Sequence, residues 1–213
     1  MTEPSWLHDM RRSYDVVAAD YAQLLRDELR AKPLDRAMLA AFAEVVRAGG
    51  GGPVADLGCG PGRITAHLAA LGLDVHGVDL SSAMVDVARR TYPGLRFDEG
   101  SMTDLDLADG ALAGIVAWYS VIHTPTDRLP EVFAEFARVL RPGGELLMAF
   151  QVGSDQVRLE QAYDHPVSLV VHRRWPDEVT DVLRDAGLDV HARLVREPER
   201  WEKCPQAYLL ARR

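Results

Sequence analysis

With 213 residues, 47% of them hydrophobic, the chain has material for the core of one domain and too little for two of ordinary size. Its formal net charge of -8 leaves no basic stripe to follow a phosphate backbone, which argues against nucleic acid as a partner. Two cysteines, Cys59 and Cys204, are too few for a disulfide framework or a four-cysteine zinc site, and no metal is expected. No apolar run approaches the roughly 18 to 20 residues of a membrane span, and the opening MTEPSWLHDMRRSYD lacks an apolar leader, so the expectation is a cytoplasmic chain free of membranes. In chain order, Leu34, Met38, Phe42 and Val45 fall on one helical face, and a strand is expected over 53–57. Ile64, Leu68 and Leu71 mark a second helix, followed by strands over 74–79, 95–99 and 114–119. PEVFAEFARVL opens on Pro130, a natural first-turn residue, and RPGG ends that helix before a strand over 144–150. PDEVTDVLRDAGLDVHARLV reads as helix then strand, and QAYLLARR follows after about ten residues, too few for a helical crossover. The last two strands are therefore expected to be antiparallel.

Strands alternating with helices imply a doubly wound α/β fold, a mostly parallel sheet covered on both faces. Ligands of such sheets sit beyond the carboxyl ends of the strands, where strand order reverses. DLGCGPGR, residues 56–63, occupies that place, with Gly58, Gly60 and Gly62 within five positions. Gly58 and Gly60 allow a tight turn and a close approach of backbone to ligand, with helix N-terminal amides facing it. Asp79 ends the next strand, 21 residues after Gly58, where a carboxylate can accept hydrogen bonds from both hydroxyls of a ribose. The third glycine of a nicotinamide fingerprint is missing, since Arg63 stands there.

DLGCGPGR, VDLSSAM, GSMTDL and AWYSVIH, in that order, resemble the class I S-adenosylmethionine-dependent methyltransferases, particularly small bacterial ones acting on small molecules. The resemblance runs from about Tyr14 to the last strand. It implies a seven-stranded Rossmann-like sheet ending in a C-terminal antiparallel hairpin, with S-adenosyl-L-methionine as cofactor. It assigns Asp56, Gly58, Cys59 and Gly60 to the methionine portion, largely through backbone groups, with Arg63 for its carboxylate. Asp79 would hold the ribose, Leu80 and Met84 flank the adenine, and Ser101 with Met102 meet its polar edge. Ala117 and Trp118 would border the methionine amino group and sulfonium, with Tyr14 and Tyr21 covering the cofactor from an N-terminal helix.

An activated methyl group needs little beyond orientation of its acceptor. Where the acceptor is a hydroxyl, a base helps; His123, just past the fourth strand, is the candidate, with Tyr119 beside it. His123 reads equally as a loop histidine bound to backbone, and Trp118 and Tyr119 as packing aromatics. Gln151 ends the fifth strand and is either acceptor-facing or solvated; His165 and His172 read as structural, without a third ligand for a metal. The expected organisation is one domain: a cover helix over 1–30, a cofactor core over 31–150, an acceptor-pocket segment over 151–175, and a terminal helix and hairpin over 176–213. The acceptor is expected to be a small, partly apolar metabolite against Trp118, Tyr119 and Trp175, with HRR at 172–174 free for an acidic group. Two other readings stay open, a nicotinamide-dependent oxidoreductase and a nucleoside-binding module without catalysis.

Overall fold

The computed structural model describes residues 4–199 and 202–213. Its elements run α1 (Ser5–Leu25), α2 (Pro33–Ala48), β1 (Val54–Leu57), α3 (Arg63–Ala70), β2 (Val75–Asp79), α4 (Ser82–Thr91), β3 (Arg96–Glu99) and β4 (Leu112–Trp118). They continue with α5 (Leu129–Val139), β5 (Leu140–Gln151), β6 (Gln156–Ala162), β7 (His165–His172), α6 (Pro176–Asp185), β8 (Asp189–Arg196) and β9 (Gln206–Arg212). The main sheet has seven strands in the order β3-β2-β1-β4-β5-β9-β8. Strands β1 to β5 pair in parallel, and β9 lies antiparallel to both β5 and β8, the expected Rossmann-like α/β arrangement with its terminal hairpin. Strand order reverses between β1 and β4, so the carboxyl ends of those two strands frame the crevice. Among the described residues no helix is long and apolar enough to cross a membrane.

Each expected strand is present within a few residues, and the differences have local causes. The α2 stripe is rotated by one residue: Leu39, Phe42, Ala43 and Val46 are buried, while Leu34 is exposed. Pro33 starts that helix at its first turn, and burying Asp35 against the Tyr208 hydroxyl at 2.7 Å fixes the rotation. RPGG does not separate α5 from a later strand. β5 begins at Leu140 and carries the bulge that moves its pairing with β4 from Leu112–Leu140 to Gly114–Glu145. The segment over 151–175, expected to build the acceptor pocket, contains the two-stranded β6–β7 hairpin.

Apolar layers cover both sheet faces. One gathers Phe133, Phe136, Leu146 and Met148 beneath α5 and α6; the other gathers Leu39, Phe42, Val116 and Leu147 beneath α2 and α3. Gly62 belongs to this packing rather than to ligand binding. With φ of 82° it caps α3, and a Cβ there would lie 2.7 Å from Phe97 Cζ of β3. Phe97 fills the space that the loop leaves beside α4.

Candidate active site

The loop after β1 is tied to the end of β2. Gly58 and Cys59 donate their amides to Val78 O at 2.8 and 3.1 Å, and Gly60 donates to Asp79 Oδ2 at 2.7 Å. Ser81 N reaches the other carboxylate oxygen at 2.9 Å. The amides of residues 58–60 are thus engaged inside the protein. Each Asp79 oxygen accepts one N–H here and retains a lone pair. Gly58 carries φ of 73° and stands against Ser120 after β4, so β1 and β4 approach closely at the crevice.

That crevice opens into a cleft of about 710 Å³, counting its solvent-open part. It is lined by twelve of the expected residues: Tyr14, Tyr21, Gly58, Gly60, Asp79, Leu80, Met84, Ser101, Met102, Trp118, Tyr119 and His123. Ser81 caps α4 by accepting from Met84 N at 3.1 Å, which brings Leu80 and Met84 to one wall. Burial pushes the Asp79 carboxyl up to about 6, against the pull of its amide donors. Only the ionised form accepts two hydroxyl hydrogen bonds, so a diol-bearing ligand should release a proton on binding near pH 6. Its affinity is expected to fall about tenfold between pH 7 and pH 5. Calorimetry in buffers of different ionisation enthalpy checks this, and an affinity independent of pH would refute it.

Helix α1 roofs the cleft. Tyr14 Oη lies 2.7 Å from His123 Nε2, and His123 Nδ1 lies 2.8 Å from Val170 O on β7. A carbonyl cannot donate, so Nδ1 carries the imidazole proton and Nε2 accepts from the Tyr14 hydroxyl. Burial, with Arg174 and His172 nearby, drives the imidazole pKa down to about 4, and His123 is neutral at physiological pH. Burial raises the Tyr14 pKa well above the ordinary phenol value, so the resting phenol is neutral. The hydroxyl of Tyr119 lies 3.3 Å from that of Tyr208, and burial likewise raises its pKa, so this phenol is neutral. Its φ of 54° is uncommon outside glycine and turns the chain sharply after β4 toward Ser120 and His123.

Asp56, Cys59, Arg63 and Ala117 do not line the cleft. Asp56 accepts from Thr65 Oγ1 at 2.6 Å, its other oxygen is buried without a partner, and burial lifts its pKa to about 7. Cys59 packs with Phe97, and Ala117 is fully buried in β4. Arg63 pairs with Glu28 at 2.9 Å, a partner nothing in the local sequence announces. The arginines of HRR are also engaged: Arg173 pairs with Asp155, and Arg174 donates to the carbonyls of Val121, His172 and Thr124. Trp175 is half exposed and His165 ties β7 to Asp20 of α1, while Gln151 pairs with Gln206 at the end of β5; none of the three borders the cleft. Leu7, Met10 and Arg11 line it without having been expected, although with Tyr14 and Tyr21 they form one helical stripe. Ser120 also lines it, with a buried hydroxyl that has no hydrogen-bond partner among the described residues.

Residues 54–144 match the family model of a methyltransferase domain. A demethylmenaquinone methyltransferase of Beutenbergia cavernae is 33% identical over 144 residues, 67% of this chain and 58% of that protein. The chain spans about half the length of the curated relatives it matches. Among solved structures, Burkholderia thailandensis 1,6-didemethyltoxoflavin-N1-methyltransferase, with bound S-adenosylhomocysteine, superposes with a TM-score of 0.73 at 19% identity, covering 100% of this chain and 91% of that one. Synechocystis magnesium protoporphyrin IX methyltransferase, with bound S-adenosylmethionine, gives 0.75 at 16% identity, covering 100% and 99%. These two likenesses concern the fold. With the motif order, the sheet topology and the matched domain, they lead to one assignment: residues 54–144 form a methyltransferase domain of the class I S-adenosylmethionine-dependent kind.

Proposed function

We propose that the chain binds S-adenosyl-L-methionine in this cleft and transfers its methyl group to an oxygen, nitrogen or carbon of a small molecule. The observation that carries the reading is Asp79, which holds the glycine loop through Gly60 and faces the cleft with a lone pair free on each oxygen. That carboxylate suits a ribose diol, while Leu80 and Met84 supply apolar faces for a purine and Ser101 with Met102 its edge. With its amide spent on Val78, Gly58 offers its carbonyl, which suits an ammonium group. The unpartnered Ser120 hydroxyl beside it suits the same polar end. Asp56 and Arg63 serve from behind, holding the loop and α3.

When bound, the sulfonium supplies an already activated methyl group. The chain orients the acceptor and takes its proton. Tyr14 Oη turns its lone pairs to the cleft because its proton is committed to His123. As an acceptor proton passes to Tyr14 Oη, the Tyr14 proton passes to Nε2, and the imidazolium is held by Nδ1–H on Val170 O. The relatives named above are named for small acceptors, a menaquinone precursor and a toxoflavin precursor, which supports a small molecule here. The α1 roof over 5–25 and the hairpin over 156–172 would enclose it.

Thermal melting tests the cofactor. S-adenosylhomocysteine at a hundred times its dissociation constant is expected to add about 2.7 kcal/mol, a rise on the order of 5 to 10 °C for this size. Nicotinamide dinucleotides should give none. Asp79→Ala removes charge-assisted hydrogen bonds worth roughly 1.5 to 3 kcal/mol and should weaken the nucleoside at least tenfold. No shift with the wild-type chain would end the methyltransferase reading.

A further inference from the structure

A second cavity adjoins the cleft, and Met10 and His123 line both. It encloses about 600 Å³, part of it open to solvent, between the first turns of α1 and strands β6 and β7. Its walls combine rings and apolar chains, Trp6, Pro125, Leu169 and His172, with two exposed charges, Arg158 and Asp9. Burial lowers the pKa of His172 as well as that of His123, so both line the cavity as uncharged imidazoles. Neither Arg158 nor Asp9 has an ion-pair partner among the described residues, whereas Arg173 nearby is paired with Asp155.

We infer that this cavity is the acceptor site and that it takes a small ring-bearing monocarboxylate. Its place as acceptor site rests on the proposed methyl transfer; its preference for an acid rests on the cavity alone. The Arg158 guanidinium offers a fork that matches a carboxylate, and Trp6 with the two neutral imidazoles receives a planar ring. Asp9 on the same wall set disfavours a second acidic group by like-charge repulsion, which limits the ligand to a monoanion. The cavity meets the cleft at Met10 and His123, and Tyr14, bonded to His123, lines the cleft side. A cavity of this size suits a metabolite and no polymer.

Calorimetric titration of the S-adenosylhomocysteine-bound chain with 4-hydroxybenzoate and indole-3-carboxylate, and with their primary amides, tests this. The acids are expected to bind saturably and at least tenfold more tightly than the amides. Arg158→Ala should bring the acids down to the level of the amides, Arg158→Lys should restore part of the difference, and Trp6→Ala should weaken acids and amides alike. Equal affinity for acid and amide, unchanged acid affinity in Arg158→Ala, or no saturable binding of either acid at millimolar concentration would overturn the inference. The same titration without nucleoside separates the two readings: failure of S-adenosylhomocysteine to bind sinks the proposed function, while acid binding dependent on Arg158 still upholds the cavity's ligand class.

Discussion

Gly58→Ala is expected to lower the melting temperature by on the order of 10 °C and to abolish nucleoside binding. A residue with a Cβ at φ of 73° costs about 1 to 2 kcal/mol from backbone conformation alone. The new methyl would lie 2.3 Å from Ser120 Cβ, well inside contact distance. That neighbour sits on the chain leaving β4, where Tyr119 already holds an unusual φ of 54°, so little slack is available. Overpacking of this kind costs about 1 to 3 kcal/mol more, and each kcal/mol moves the melting point of a domain this size by about 2 to 4 °C. Gly60→Ala is the control. Its φ is 54°, but the nearest atom is Tyr21 Cε1 at 3.9 Å, so only the conformational cost applies. Equal melting temperatures for the two variants would show that β1 and β4 are not in close contact at the crevice.

The second large effect concerns turnover. His123→Ala and Tyr14→Phe are each expected to lower kcat about a hundredfold, and the double variant should be no slower than either, because the two side chains form one relay. His123→Gln, whose amide oxygen can accept a hydrogen bond from Tyr14 but cannot take its proton, should restore none of the loss. The pH profile distinguishes a relay from a free histidine base. An unperturbed imidazole would give a rising limb near 6.5, but this one is held down to about 4. Protonation at Nε2 removes the lone pair that Tyr14 uses, so kcat should stay level from pH 8 to about 5 and fall only as pH drops through 4. KM for the cofactor should meanwhile rise below pH 6 as Asp79 is protonated. A kcat limb near 6.5, or full activity in His123→Ala, would remove the relay.

The parts of the site that were legible in the sequence are those whose partners are close along the chain. The glycine loop follows its strand directly, Asp79 ends the next strand, and Ser81 caps the helix two residues on. The partner of Arg63, Glu28, lies 35 positions away in a segment with no motif, so the pair is not legible in the sequence. Glu28 also pairs with Lys32, Lys32 with Glu202, and Glu202 with Arg196, a chain of ions that no local pattern shows. His123 sat equally between base and structural residue until Val170, 47 positions on, fixed its tautomer. The β6–β7 hairpin had a readable alternation, half-buried Val157 and Leu159 between exposed Gln156, Arg158 and Glu160. Its turn hid it: Tyr163 and Asp164 take φ of 52° and 62° without a glycine, so the usual turn signature is missing.

Helix α1 both roofs the cleft and is fastened on two sides. Asp15 accepts from Ser81 Oγ and Ala83 N at the start of α4, Ser13 accepts from Ser168 N on β7, and Asp20 meets His165. The clasp at Ser81 stands two residues from the carboxylate proposed to hold the ribose, so the nucleoside and the roof share one anchorage. Exchange of spent for fresh nucleoside then requires those fastenings to release together. Under the proposed function, the dwell time of S-adenosylhomocysteine is expected to lengthen with these fastenings, and variants that loosen them are expected to release it faster.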